Sequence, residues 1–340
     1  MRDILETLAR WKDSGSKVAT ATVVSTERSA PRLPGATLAV SESGDVAGSV
    51  TGGCVEPAVF EEAREVLAGG GARLRTYGIA DEEAFEVGLP CGGTVHIFVD
   101  AMNPATIDPL TKAIEEERPV ARVVPISGAN TGAERLVFAD DDVNDDIGRA
   151  AQELLAAGET AVIQVGGDDV FVDSFAPRPS MYVFGAVDHA AAVAEIGRFL
   201  GYRVTVCDAR AKFVTAERFP EADELVVEWP DRFLERSPVD ERTAICVLTH
   251  DHKFDIPALK AALATNAGYI GAMGSRRTTE QRRELLRAEG VTDEELTRIH
   301  APIGLRIGAR TPQEVADSDA AQLIEVLRAP KESRAEAVTG

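Results

Sequence analysis

Beyond Pro179 short apolar runs alternate with helical patterns, and that alternation constrains the fold more than any other feature. SMYVFG, RVTVCD, ELVVEW (224–229), AICVLT (244–249) and GYIGAMG (268–274) are too short for helices. Between and after them, AAVAEIGRFLG and the segments 257–264 and 279–289 carry helical spacing. Strands separated by helices pair in parallel through βαβ crossovers. A Rossmann-like parallel sheet is therefore predicted here. Its last helix opens at Thr311-Pro312-Gln313-Glu314, a capping box with proline at the first helical position.

The front half follows another pattern. Ile4, Leu5, Leu8 and Trp11 mark an opening amphipathic helix. Strands are predicted at 18–26, 36–41, 46–53, 73–77 and 94–99, with a helix from about Pro57 to Leu67. Helices follow at 105–117 and 146–157, and hairpins over 120–139 and across Gly166-Gly167. Pro177-Arg178-Pro179 is the natural boundary. The expected organisation is an N-terminal mixed α+β domain (1–177), a Rossmann-like domain (178–330) and a flexible tail (331–340).

Charge narrows the partners. The 340 residues carry a formal net charge of −20, which opposes nucleic acid and anionic membranes. No run approaches the ~20 apolar residues of a spanning helix. The N-terminus lacks the basic head and apolar core of a secretory signal. The four cysteines lie far apart without C-x-x-C spacing, so a reducing, cytoplasmic setting is expected.

Several residues carry candidate chemistry. In the Rossmann-like half the fingerprint G-x-G-x-x-G/A falls on Gly185, Val187 and Ala190. Val187 replaces the glycine that lets a pyrophosphate approach, and Asp188 adds charge where a phosphate would sit. Asp208 ends the second strand, where an acidic side chain could hold a ribose. NAD(P) binding, and with it an oxidoreductase, is thus the alternative reading. His250, Asp251 and His252 follow the AICVL strand. Two histidines at i, i+2 could ligate a metal, or cap a helix and bond inside the crevice. Gly274-Ser275-Arg276-Arg277 precedes a helix that Thr278 could cap. Two arginines oppose the helix dipole unless an anion sits between them and the amides.

Cys207 and Cys246 lie in apolar strands and read as inert. Cys54 follows Gly52-Gly53 and precedes a helix, with an open approach and a positive helix end beside it; both favour a reactive thiolate. Glu56 opposes this by charge, or serves as a proton acceptor. Cys91 lies in another glycine-flanked loop, Leu89-Pro90-Cys91-Gly92-Gly93.

The blocks SAPRLPG, GSVTGGCVE, GLPCGG, LTHDHKFD, YIGAMGSRR and PIGLRIGARTPQE, in that order, resemble the XdhC/CoxI family of accessory proteins for molybdenum hydroxylases such as xanthine dehydrogenase and carbon monoxide dehydrogenase. The resemblance covers most of the chain, least in 100–178. It implies a cytosolic maturation factor rather than a turnover enzyme. Such a factor binds the molybdenum cofactor, as molybdopterin or its cytidine dinucleotide form. It assists sulfuration with a cysteine desulfurase and delivers the cofactor to the apo-hydroxylase. It also implies molybdenum or sulfur contact at Cys54 and Cys91, and an anionic tail held by Arg276, Arg277 and the His250–Lys253 loop. Gly52, Gly53, Glu56 and Arg32 belong to the same matching blocks. A homodimer is the expected assembly. The chain departs from the family's G-A-G-H at Gly185-Ala186-Val187-Asp188, and has Arg306 where aspartate is common.

Overall fold

The computed structural model describes residues 1–28, 30–78 and 93–328. Cys91 and the tail 331–340 lie outside them. The chain divides into two compact units, Met1–Pro177 and a second beginning at Arg178.

In the first unit, α1 (Leu5–Asp13) precedes β1 (Val18–Glu27), β2 (Thr37–Ser41) and β3 (Val46–Gly48). Then come α2 (Glu56–Leu67), β4 (Arg73–Tyr77) and β5 (Thr94–Ala101). These strands form an antiparallel sheet in the order β3-β2-β1-β5-β4. The β-branched residues of β1 suit a central strand, and its register against β5 shifts between Val23 and Ser25. Val59, Ala63 and Val66 of α2 pack on Ala19, Ala21, Val23, Ile97 and Val99. The strand expected over 46–53 stops at Gly48. That residue has φ +81°, and a side chain there would begin 2.2 Å from the Thr37 carbonyl oxygen, so the chain turns away from the ladder.

The rest of this unit holds α3 (Pro104–Glu115), β6 (Val120–Pro125), β7 (Arg135–Phe138), α4 (Asp146–Ala157), β8 (Ala161–Val165) and β9 (Asp168–Phe175). The second sheet runs β7-β6-β9-β8. Its core contains a buried ion cluster: Arg122 on β6 reaches Asp100 on β5 at 3.2 Å and Glu134 at 2.6 Å. Thr20 donates to Asp100 at 2.7 Å. Each charge is thus partnered, as burial requires.

The second unit contains β10 (Ser180–Phe184), α5 (Asp188–Phe199), β11 (Arg203–Cys207), β12 (Glu224–Val226), α6 (Pro230–Arg236), β13 (Ala244–Val247), α7 (His252–Leu263), β14 (Tyr269–Ala272), α8 (Arg276–Ala288), α9 (Asp293–Thr297), β15 (Ile299–His300) and α10 (Pro312–Arg328). Every strand pairing is parallel, in the order β12-β11-β10-β13-β14-β15. Renumbered within the unit this is 3-2-1-4-5-6, the doubly wound dinucleotide-type order. Helices α5 and α10 cover one face through Ala190, Val193, Ala194, Ala316 and Leu323. Helices α6, α7 and α8 cover the other through Phe233, Ala258, Leu259, Ala262 and Leu286. The topology reverses between β10 and β13, so the loops after them meet at the switch point, where such sheets take ligands.

The expected architecture, a mixed α+β unit followed by a Rossmann-type sheet, is what the structure shows. Local limits differ. ELVVEW gives a strand only to Val226. Helix α7 begins at His252 rather than near 257, and α8 at Arg276 rather than 279.

Candidate functional site

Two groups of side chains, one in each unit, carry the chemistry. In the first unit, α2 begins at Glu56 after a turn through Ser49–Val55. The Glu56 carboxylate folds back into that turn. It accepts hydrogen bonds from the amides of Val50, Thr51, Gly52, Gly53 and Val55 and from the hydroxyls of Ser49 and Thr51, at 2.6–3.2 Å. Burial alone would raise its pKa. The Ser49 hydroxyl and the Thr51 amide and hydroxyl overcome that and hold the carboxyl down at about 2. A carboxylate so saturated is a poor base at neutral pH, so the proton-acceptor reading of Glu56 gives way to a different employment: it is the anion around which the turn is wrapped.

Gly52 and Gly53 take φ +84° and +123°, a region that favours glycine, and both are exposed. They leave Cys54 half-buried, resting on the edge of the core that contains Val55 and Val59. Arg32 is exposed and donates from Nη1 to the Ser49 carbonyl at 3.5 Å, which brings the SAPRLPG loop onto the same turn. The structure therefore joins Arg32, Gly52, Gly53, Cys54 and Glu56. By contrast, burial pushes the Cys207 thiol up to about 12 and raises that of Cys246 further. Both are structural thiols.

In the second unit the turn after β10 is closed by its own chain. Gly185 has φ +107°, and a side chain there would begin 2.6 Å from Thr249 Cγ2. The Ala186 amide donates to Asp208 Oδ2 at 2.8 Å. Arg210 clamps both oxygens of that carboxylate, at 2.9 and 2.7 Å. Burial opposes the ionised form of Asp208, but Arg210 and the Ala186 amide outweigh it and lower its pKa. An amide that a pyrophosphate would need is thus occupied by a resident carboxylate, and Asp208 itself is engaged by Arg210. Asp188, at the start of α5, is exposed and pairs with Arg218 at 3.0 Å.

The next two loops differ from each other. Asp251 caps α7, accepting from the Lys253 amide at 3.1 Å, and pairs with the Lys253 ammonium at 3.0 Å. His250 and His252 stand exposed on either side of it. Among the described residues no group of three His, Cys, Asp or Glu side chains could hold a metal ion. Helix α8 is capped by Ser275, whose hydroxyl accepts from the Thr278 amide at 3.1 Å. The cap is therefore Ser275 and not Thr278, because the shorter hydroxyl lies at the non-helical position that an N-cap needs. Arg276 and Arg277 consequently sit inside the first turn, both exposed and without an ion-pair partner among the described residues.

Sequence reasoning missed a buried chain behind these loops. Thr249 donates to Asp255 Oδ1, and Arg282 Nη2 donates to Asp255 Oδ2 at 2.7 Å and to the Met273 carbonyl at 2.9 Å. Asp255 and Arg282 each stand on the apolar stripe of their helix. That misplaced charge was the available signal. A second buried pair, His189 Nε2 with Asp319 Oδ2 at 2.9 Å, joins α5 to α10.

Fold and sites together define a class: a two-unit α/β protein in which a doubly wound sheet has its dinucleotide turn sealed by an internal carboxylate. Residues 11–78 match the model of the XdhC and CoxI family, and residues 181–323 match that of the XdhC Rossmann domain. The chain belongs to the XdhC/CoxI family. It is 26% identical over 314 residues to a probable xanthine dehydrogenase subunit of Bacillus subtilis, covering 90% of this chain and 92% of that protein. It is 28% identical over 327 residues to the molybdenum cofactor insertion chaperone PaoD of Escherichia coli, covering 96% and 88%. A crystal structure of a xanthine dehydrogenase from Bacillus halodurans shares the fold, with TM-score 0.68 at 23% identity, over 98% of this chain and 97% of that one.

Proposed function

We propose that this chain is a maturation factor that binds the molybdenum cofactor and assists its sulfuration and insertion into a molybdenum hydroxylase of the xanthine dehydrogenase or carbon monoxide dehydrogenase type. A cysteine desulfurase is the proposed sulfur source and the apo-hydroxylase the proposed recipient. The named role of PaoD supports the reading. The observation that carries it is the Cys54 turn: a half-buried thiol offered by a glycine loop that a buried-in carboxylate holds in shape. Thiolate is a soft donor suited to molybdenum or to sulfur. When bound, the cofactor would supply the metal and its exchangeable ligand. In the first unit, Cys54 would supply a contact and Arg32 a positive neighbour; in the second, considered by itself, Arg276, Arg277 and the His250–Lys253 loop would take an anionic group of the cofactor. The residues fit such a guest: two exposed arginines and a buried guanidinium with unmet donors gather at the start of α8.

The test is mass analysis of small molecules released from the protein after co-expression with cofactor biosynthesis. Molybdopterin or its cytidine form is expected in the wild type. Cys54→Ala is expected to reduce the retained amount at least ~10-fold, equivalent to ~1.4 kcal/mol, with an unchanged circular dichroism spectrum. A wild type that retains no pterin under reducing, anaerobic conditions would overturn the proposal.

A further inference from the structure

Helices α5, α6, α7 and α8 begin at the carboxyl edge of the parallel sheet, and they treat negative charge differently; α6 carries Asp231 in its first turn. Helix α5 carries Asp188 in its first turn, and α7 carries Asp251 as its cap and Asp255 in its first turn. The turn before α5 is filled by Asp208. Helix α8 has no acidic residue in its first turn and a neutral serine cap. Its positive end is therefore the one left without a carboxylate of its own, although the chain as a whole carries −20.

A second observation is independent of the helix end. Arg282, one and a half turns into α8, is 2% exposed. Its Nη2 is used by Asp255 and the Met273 carbonyl. Its Nε and Nη1 are buried and have no partner among the described residues, nor has the Thr279 hydroxyl on the same face. Nη1 lies 3.6 Å from the point where a side chain on Gly274 would begin, and that point is 3.3 Å from Thr278 Cβ. Gly274, with φ +154°, is thus a thin backbone cover between a guanidinium with unmet donors and the start of the helix. A buried unmet donor costs ~1–3 kcal/mol, so the group calls for an explanation, and an acceptor that reaches it is one.

We propose that Gly274, Ser275, Arg276, Arg277 and the underlying Arg282 form a subsite for a phosphoryl anion, a phosphate monoester or a diphosphate. The inference rests on the reading above that the guest is a phosphorylated pterin or its dinucleotide. The first-turn amides of α8 and the exposed arginines grip the anion. Arg282, its charge matched by Asp255, adds its unmet Nε and Nη1 donors from the buried side. Asp255 and Thr249 hold that guanidinium in place, so Arg282 acts as a positioning residue.

The probe is inorganic pyrophosphate titrated calorimetrically into the full-length protein at low ionic strength. Binding is expected in the wild type and is expected to weaken at least ~10-fold in Arg276→Ala/Arg277→Ala, whose replaced side chains are exposed. Arg282→Lys, which keeps a charge but loses the fork, is expected to weaken binding with both exposed arginines present. If that variant does not fold, Gly274→Ala decides, because its methyl group would stand between Nη1 and the anion. No pyrophosphate binding in the wild type, or unchanged affinity in Arg276→Ala/Arg277→Ala, overturns the subsite. Pterin retention measured in parallel separates the two ideas. Retention without pyrophosphate binding removes the subsite alone, and pyrophosphate binding without retention removes the maturation reading alone.

Discussion

Glu56 decides what the Cys54 turn can be. Without a carboxylate, five amides of Val50–Val55 would face one another with no acceptor. Glutamine cannot replace it, because an amide NH2 would point at N–H donors. The carboxyl is held at about 2 against an ordinary value of 4.5, so the linkage has a definite sign. A depressed acid stabilises the fold above its unfolded pKa and loses that contribution as pH falls through its folded pKa. The full shift would be worth about 3 kcal/mol, but the group is half-buried, so about 2 kcal/mol is expected after solvent screening. Glu56→Gln should be destabilised by that amount near pH ~7, and the gap to wild type should narrow as pH falls below ~4.5. Denaturant unfolding of both proteins at several pH values measures it; a gap that stays constant to pH ~3 contradicts the assignment. Nothing in the sequence pattern pointed Glu56 backwards. A glutamate at the start of a helix reads as a dipole partner, and only the two positive-φ glycines before it turn the amides inward.

At the scale of elements, the strand-helix alternation could be read because it depends on local apolar periodicity. All six strands of the parallel sheet except the two-residue β15 fall on predicted runs, and the capping box at Thr311 is formed, with the Glu314 amide donating to Thr311 Oγ1 at 3.2 Å and the Thr311 amide to Glu314 Oε2 at 3.0 Å. The starts of α7 and α8 could not be placed, since His252–Ile256 and Arg276–Thr278 are polar enough to pass for loop. The pairing of Asp255 with Arg282 escaped for a related reason: two charged residues on separate apolar stripes find each other only in three dimensions. Tight contact between elements gives a test. Gly185 lets β10 and β13 approach where their loops meet, and an alanine there would begin 2.6 Å from Thr249 Cγ2 and 3.0 Å from its amide nitrogen at φ +107°. Gly185→Ala should cost about 2–4 kcal/mol by overpacking and backbone strain. Thermal unfolding reads this as a lowered midpoint of the transition that includes the parallel sheet. An alanine variant as stable as wild type would mean that the two loops do not meet as described.

For the molecule as a whole, strand order and local chemistry point in opposite directions, and the chemistry decides function. The order 3-2-1-4-5-6 belongs to dinucleotide enzymes, and function follows the site rather than the fold. Here the turn that would receive a pyrophosphate has Val187 in place of a glycine, its Ala186 amide is held by Asp208, and Arg210 holds both oxygens of that aspartate. A ribose diol would have to break a bidentate, charge-assisted pair to reach Asp208, and a pyrophosphate would meet that carboxylate at 2.8 Å from the amide it needs. No helix among the described residues is long and apolar enough to cross a membrane. The sealed turn predicts that titration with NADH or NADPH, followed by nicotinamide fluorescence and by calorimetry, stays flat to ~1 mM, the level at which binding is worth only ~4 kcal/mol. Releasing the seal should matter more than adding ligand: Asp208→Asn/Arg210→Ala frees the Ala186 amide from a charge and is the variant in which weak dinucleotide binding is expected first. Saturable wild-type binding of either nicotinamide below that concentration would show that the Asp208–Arg210 pair opens for a ligand, and would return the second unit to the oxidoreductases its strand order resembles.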